Sequence, residues 1–312
     1  MLDRATLTDR DDELRVTVGA ATDVGGRSGN EDAVYVGDMP PLVGAVDLAA
    51  YPGQLLAVAD GMGGHQRGEV ASSLAIQALQ AAFAEDPGAD AAPLMKQAFR
   101  RANQEIFANG NAGGASQIMG TTLVALLLRG KYATIASIGD SRAYLVRADR
   151  LTQITKDHSL VAEQVSQGQL SSEEARGSPH RNILTHALGH RERLDAKLPN
   201  VFELTLLPED RLLLCTDGFY DVIPDDDLMQ VLLAEPPDAA ARRLVEMAVE
   251  RGTTDNVTAV VVEALPTRVP VVAAVAAPTP ESGGTGSYLV PALVAFAAVL
   301  FVALVILALT LL

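Results

Sequence analysis

Four apolar segments of the 312-residue chain, each with the composition of a buried β-strand, stop or start at an aspartate. "LLAVAD" ends at Asp60, "ATIASIGD" ends at Asp140, "RLLLCTD" ends at Asp217, and "DNVTAVVVEA" begins at Asp255. A single aspartate followed by Gly or Ser is common in turns. Four at the ends of buried strands constrain the fold more, because clustered buried carboxylates repel one another and are costly to desolvate. We therefore expect these carboxylates to meet where a positive charge compensates them.

A divalent cation is the expected source of that charge, because hard carboxylate oxygens suit Mg²⁺ or Mn²⁺. The glycines after Asp60 fit this interpretation. Gly61 lets its carbonyl approach a cation without a Cβ in the way, and Gly63 and Gly64 let the chain turn into a helix that starts near Gly68. A phosphate-binding P-loop is excluded, because no Lys-Ser or Lys-Thr pair follows the glycines.

An earlier stretch, "TDVGGRSGNEDAV", adds a cation and two acids. The guanidinium of Arg27 is suited to a bidentate contact with phosphate. Glu31 and Asp32 would add oxygen ligands at the start of the next predicted strand, "AVYVGD".

Net charge and cysteine count exclude several classes of protein. The formal net charge of −15 disfavours nucleic acid, whose phosphates an acidic chain repels. The single cysteine, Cys215, excludes an internal disulfide, and its apolar neighbours predict a buried thiol. A cysteine-based phosphatase would need an arginine six residues later, where the chain has Asp221.

Blocks of short strands alternate with pairs of helices, which predicts an α+β fold with helix-covered sheets and not a parallel βαβ sheet. Helices are expected at about 68–85, 92–109, 225–234 and 238–251, the last capped by Asp238 and ended by Gly252.

Three consecutive predicted strands, at 121–128, 131–139 and 142–148, are separated by the short links "RG" and "DS". Links of this length are typical of hairpins, so antiparallel pairing is expected along the series.

The C-terminal segment has a different character. From Leu289 to Leu312 no residue is charged, and a helix of this length would be about 36 Å long, enough to cross a bilayer core of about 30 Å. We therefore expect a domain at 1–264, a linker rich in Pro, Ala, Gly and Ser at 265–287, and a transmembrane helix at 288–312. Because the charged N-terminus is not a secretory signal, the expected location is the cell membrane, single-pass, with the domain on the cytoplasmic side.

Four of the five histidines lie at positions 158, 180, 186 and 190. A zinc site and a polar loop are the two interpretations. The loop is favoured, because no cysteine partner is available and the segment is polar.

Several motifs together resemble a known family, the bacterial branch of the metal-dependent type 2C serine/threonine protein phosphatases. They are, in chain order, "GGRSGNED", "ADGMGGH", "MGTTLVALLL", "GDSRAY", "TKDHS", "NILTHALG", "LLLCTDGFYD" and "DNVT". The resemblance covers about residues 15–264. It implies two packed antiparallel β-sheets flanked by helices on both sides, with a binuclear Mg²⁺ or Mn²⁺ centre in the cleft at one end.

The resemblance also implies roles for the acidic residues. Asp60 would bridge two metals, and Gly61 would contribute its backbone carbonyl. Asp217 and Asp255 would complete one metal, and Asp32 would hold the other, directly or through water.

Further roles follow from the same resemblance. Glu31 would lie beside this centre as an additional ligand. Asp140, with Asp217, would hold a third, weaker metal. Arg27 would anchor the substrate phosphate, and His65 would assist proton transfer.

The implied activity is hydrolysis of phosphoserine and phosphothreonine in proteins, including a serine/threonine kinase, by a metal-activated water that attacks phosphorus in line. Residues 159–190 would form a flap beside the active site. Two alternatives stay open from the sequence: a catalytically weak module that binds phosphoproteins, and a hydrolase of small phosphate esters.

Overall fold

The computed structural model describes residues 14–38, 53–64, 66–112 and 119–266. His65, nearly all of the predicted linker and the whole predicted helix at 288–312 lie outside these residues. Within the described ranges, no helix combines the length and apolar character needed to cross a membrane.

Two antiparallel β-sheets form the centre of the domain. The first has five strands, in the spatial order β1 (Leu14–Asp23), β11 (Val257–Pro266), β10 (Arg211–Cys215), β7 (Arg142–Arg147) and β8 (Arg150–Gln153). The second has the order β2 (Asp32–Asp38), β3 (Gln54–Met62), β5 (Leu123–Arg129), β6 (Tyr132–Ile138) and β9 (Asn200–Thr205), and β4 (Gly120–Thr121) pairs with the end of β3.

Helices cover the outer face of each sheet. The second sheet is covered by α1 (Gln66–Glu85) and α2 (Ala91–Asn111), and the first by α5 (Asp217–Tyr220), α6 (Asp225–Ala234) and α7 (Pro237–Glu250). Two further short helices, α3 (Leu160–Ser166) and α4 (Ser172–Arg176), lie in the segment predicted as a flap. The predicted arrangement of two antiparallel sheets between helices is confirmed.

Burial on both faces explains why the strands read as continuous apolar runs. In β3, Leu55 and Ala57 pack among the helices, whereas Leu56 and Val58 pack between the two sheets. This is the period-2 alternation of a strand, with an apolar side chain on each face. Cys215, the last residue of β10, is fully buried beneath the helices of the first sheet, which confirms the predicted core thiol.

The expected hairpin between β6 and β7 is wrong. These strands belong to different sheets, so the "DS" link carries the chain from one sheet to the other. Gly139 directs this crossover with a φ of +94°, and a Cβ there would lie 2.6 Å from the side chain of Thr122. A left-handed residue in so tight a site turns the chain out of its sheet, and Asp140 lies in the crossover itself.

The proposed cap of α7 is also wrong. Pro236 occupies the N-cap position, and Asp238 lies in the first turn, where it forms an ion pair with Arg242 at 2.6 Å. The predicted end is confirmed, because Gly252 follows the C-cap residue with a φ of +76°. The short elements β8, α3, α4 and α5 were not predicted.

Candidate metal centre

The register between β2 and β3 brings the first two carboxylates together. Asp32 lies directly opposite Asp60 in this antiparallel pair. The backbone of Asp60 is fixed on its other side, where its N–H donates to Thr122 Oγ1 at 2.9 Å and its carbonyl accepts from Thr121 Oγ1 at 2.8 Å. The end of β3 is therefore anchored from the side away from Asp32.

The first sheet supplies Asp217, the first residue of α5, and Asp255, just before β11. Its threonines also reach the second sheet. Thr216 Oγ1 and Thr258 Oγ1 both donate to Asp32 Oδ2, at 3.0 and 2.6 Å. One carboxylate of the second sheet is thus held by two hydroxyls of the first, and this contact joins the two sheets at the carboxylate end.

Burial and mutual repulsion change the titration of these groups. Burial raises the pKa of Asp32 to about 7 and that of Asp217 to about 6. Burial also raises the pKa values of Asp60 and Asp140 well above the ordinary range, and the neighbouring charge of Asp217 raises both further. These carboxyl groups therefore share one electrostatic environment in which negative charge is costly.

Two carboxylate oxygens have no partner within the described part of the chain. Asp32 Oδ1 and Asp217 Oδ1 are buried and accept no hydrogen bond there. Orphaned, partly charged oxygens of this kind fit a hard divalent cation. No three His, Cys, Asp or Glu side chains of the described residues are arranged so that they could hold a metal ion by themselves. The site is a convergent set of oxygen donors and not a closed cage.

Asp140 joins the cluster through the crossover. It is only 6% exposed, and its backbone carbonyl accepts from the Tyr220 hydroxyl at 3.1 Å. The next residue, Ser141, shares a hydrogen bond of 2.6 Å with Thr122, whose hydroxyl also accepts from Asp60. Thr122 therefore links the backbones that carry the two acids, and sequence reasoning missed it because it resembles an ordinary strand residue.

Gly61 is required for a reason that the sequence did not indicate. A Cβ on Gly61 would meet the backbone of Gly68 in α1 and lie 2.7 Å from the carbonyl of Glu31. A Cβ on Gly68 would meet the Glu31 carboxylate and lie 2.7 Å from the Gly61 carbonyl. Close approach of three backbone segments thus demands both glycines, and it places the Glu31 carboxylate against the first turn of α1.

Arg27 lies in an exposed loop and contacts the cluster directly. Its Nη2 donates to Asp255 Oδ2 at 2.6 Å, with the arginine side chain 51% exposed. Asn256 fixes this loop, since its Nδ2 donates to the carbonyls of Val24 and Gly29, each at 2.9 Å. The sequence signal for Asn256 was its position between Asp255 and an apolar strand.

The histidines are the remaining predicted site residues. His65 lies outside the described residues, so its role stays a prediction. His158 and His186 meet edge to face with ring centroids 5.5 Å apart, whereas His180 and His190 are exposed. This spread agrees with the polar-loop interpretation of the histidines.

Comparison with known proteins identifies similar chains. The model of a family described as "Protein phosphatase 2C" matches residues 46–265. A protein of Mycobacterium tuberculosis, the serine/threonine protein phosphatase PstP, is 39% identical over 238 residues, which are 76% of this chain and 42% of that protein. The chain thus spans less than half the length of this relative.

Two further comparisons cover their counterparts more fully. The serine/threonine phosphatase stp of Listeria innocua is 34% identical over 218 residues, 67% of this chain and 84% of that protein. The crystal structure of the PstP catalytic domain, in complex with two manganese ions, matches with a TM-score of 0.68 and 37% identity, covering 81% of this chain and 99% of that one.

Replacing Asp60 by asparagine should stabilise the metal-free chain. Because the pKa values of these carboxyl groups are raised in the folded chain, the protonated groups stabilise the fold at acidic pH. This stabilisation is lost as pH rises through about 6 to 7, the pKa values of Asp217 and Asp32. Removing one charge should therefore raise the melting temperature in chelator at pH 8, by about 2–4 °C per 1 kcal/mol gained, and by less at pH 5.

Asp210→Asn is the matched control for this substitution. Asp210 is also buried, but it pairs with Arg147 at 2.5 Å and accepts from the Leu207 N–H. We expect it to lower the melting temperature. Thermal unfolding of both variants with and without Mn²⁺ checks this, and destabilisation by Asp60→Asn in chelator at pH 8 would contradict the repulsive cluster.

Proposed function

The chain belongs to the protein phosphatase 2C family, and we propose that it is a metal-dependent serine/threonine phosphoprotein phosphatase tethered to a membrane. The observation that carries the proposal is the meeting of carboxylates from both sheets at one end of the domain, with Arg27 beside them. Bacterial relatives named serine/threonine phosphatases support the reaction, and a relative crystallised with two manganese ions supports the cofactor.

The candidate ligands fit Mn²⁺ or Mg²⁺, because they are oxygen donors and two of them have buried oxygens without partners. Asp60 would be shared by two ions, and Gly61 would contribute its backbone carbonyl. Asp217 and Asp255 would complete one ion, and Asp32, with the neighbouring Glu31, would hold the other. Asp140 and Asp217 would hold a weaker third. Bound at this site, the ions would neutralise the carboxylates and acidify a water so that it attacks phosphorus near neutral pH.

The chain itself would orient the substrate. Arg27 extends from a loop that Asn256 anchors, so its guanidinium can contact two phosphate oxygens while one N–H remains near Asp255. The two threonines that donate to Asp32 keep that carboxylate in one orientation. His65, five residues after Asp60, would transfer a proton to the leaving serine or threonine oxygen.

A covalent phosphoenzyme on cysteine is not part of this proposal. Burial raises the pKa of Cys215 to about 12, so its sulfur stays protonated and shielded from substrate. Direct attack by water accounts for the reaction without a protein nucleophile.

Two alternatives are less well supported. A phosphoprotein-binding module has no need to gather five mutually repelling carboxylates. A hydrolase of small phosphate esters would use the same chemistry, and only its substrate preference differs. The proposed substrates are phosphoserine and phosphothreonine proteins, including a serine/threonine kinase.

The membrane tether rests on the sequence of residues 288–312, which lie outside the described residues. The linker at 265–287 would behave as a coil with an end-to-end distance of roughly 25 Å. It would keep a cytoplasmic catalytic domain close to the membrane and raise its local concentration near membrane-bound phosphoproteins.

Activity on a phosphothreonine peptide should require Mn²⁺ or Mg²⁺ and disappear in chelator. Arg27→Ala should raise the KM for that peptide about tenfold and leave Mn²⁺ content unchanged, because Arg27 binds phosphate and not metal. Arg101→Ala is the control. Among the ion pairs of the described residues, this arginine of α2 pairs only with Glu85 and Glu105.

Steady-state kinetics with metal analysis separate the possibilities. Unchanged KM together with lost Mn²⁺ in Arg27→Ala would refute the phosphate role. A much higher kcat/KM for para-nitrophenyl phosphate than for phosphopeptides would favour the small-ester alternative.

A chain ending at residue 266 should be soluble and keep the kcat of the full chain on a free phosphopeptide. The full chain should remain with membranes after carbonate extraction, because its anchor spans the bilayer. An inactive shortened chain, or a full chain that carbonate releases, would refute the tether.

A further inference from the structure

His158 immediately precedes the segment 159–190 and directly contacts the crossover between the sheets. The Gly139 N–H donates to His158 Nδ1 at 3.0 Å, and the His158 N–H donates to the Gly139 carbonyl at 2.9 Å. One residue therefore satisfies both backbone polar groups of Gly139. His158 is only 9% exposed, so water offers Gly139 little alternative to this acceptor.

Gly139 immediately precedes Asp140, and the rest of the crossover is held by other partners. Ser141 is fixed by Thr122, and the Asp140 carbonyl accepts from Tyr220. Among the described contacts, His158 is the side chain that fixes the crossover on the side before Asp140. Glycine has many alternative conformations, so this contact restricts the backbone that immediately precedes the Asp140 carboxylate.

We propose that His158 is a positioning residue that holds the Asp140 carboxylate in its working orientation through the Nδ1 acceptor for the Gly139 N–H. This inference rests on the proposed phosphatase function, in which Asp140 serves the weaker metal. His158 itself contacts neither substrate nor metal.

The protonation state of the ring suits this role. The Gly139 N–H donates to Nδ1, so the proton of the neutral ring is on Nε2, 2.9 Å from Asn200 Nδ2. This tautomer requires the Asn200 amide to be rotated so that its oxygen, and not its NH2 group, faces Nε2 and accepts from it. Burial and the nearby His186 lower the pKa of His158 to about 4. The ring is thus a neutral acceptor at neutral pH.

The same residue closes the base of the segment 159–190. The His158 carbonyl accepts from the Thr185 N–H at 2.8 Å, Ser159 pairs with Leu184, and the Ser159 hydroxyl caps α3. The start of the segment and residues 184–185 therefore meet at His158. A displacement of this base would be transmitted to Gly139 and to the carboxylate that follows it.

Two substitutions of similar size test whether the position of the hydrogen-bond acceptor matters, because each puts a side-chain oxygen in the place of a different ring nitrogen. In His158→Asn, the side-chain oxygen can take the place of Nδ1, whereas in His158→Gln it takes the place of Nε2. We expect His158→Gln to lower kcat on a phosphopeptide by about tenfold or more, the scale of a misplaced catalytic group, with KM and the two tightly bound Mn²⁺ ions unchanged. His158→Asn should retain most of the kcat. His186→Asn removes the ring contact with His158, and its side-chain oxygen can take the place of Nδ1 beside Thr185 Oγ1, so it should match the wild type.

A double-mutant cycle with Asp140→Ala distinguishes positioning from general stability. If His158 acts through Asp140, His158→Gln should cause no further loss of kcat in the Asp140→Ala background. An equal loss in both backgrounds, or equal kcat values for His158→Asn and His158→Gln, would overturn the proposal.

Amide hydrogen exchange at Gly139 in the metal-free full chain provides a readout independent of activity. The amide should be protected in the wild type and in His158→Asn and should exchange faster in His158→Gln. Protection unchanged in His158→Gln would overturn the assigned contact. An inactive wild type with the expected exchange pattern would instead refute the phosphatase function and leave the contact standing.

Discussion

Buried carboxylates from two β-sheets repel one another at the end of the domain where the sheets meet. Four of these groups have pKa values raised by burial, and the charge of Asp217 contributes to the shifts of the other three. A fold gains no stability from such an arrangement unless a cation is bound. The apolar layers on both faces of each sheet supply the stability that this edge lacks.

The scaffold counters this repulsion by fixing the backbone and leaving acceptor oxygens free. Two threonines of the first sheet occupy one oxygen of Asp32, while its other oxygen has no partner among the described residues. Thr122 holds the backbone at Asp60 and, through Ser141, the crossover that carries Asp140. The carboxylates are thus presented by rigid elements, whereas Arg27 reaches them from an exposed loop, where a substrate phosphate can be exchanged.

The sequence predicted what short-range patterns determine and missed what depends on long-range packing. Apolar runs located nearly all of the long strands, and the four aspartates at strand ends do converge. The short link at Asp140 predicted a hairpin between β6 and β7, because its length fits one. However, β7 belongs to the other sheet because it pairs with β10, which lies far along the chain. Thr122 and His158 lie within two of the motifs that carry the family resemblance, but no local pattern indicates what they contact, because their partners lie far along the chain.

If positive charge compensates this cluster, Mn²⁺ binding should displace protons from its carboxyl groups. Calorimetric titration of the metal-free chain at pH 6.5, in two buffers of different ionisation enthalpy, gives the number of protons that the metal displaces. Because the pKa of Asp32 is about 7 and those of Asp60 and Asp140 are also raised, we predict proton release that is larger at pH 6.5 than at pH 8.5. A binding enthalpy that is the same in both buffers would show that no protons are displaced and would contradict compensation of the carboxylates by the metal charge.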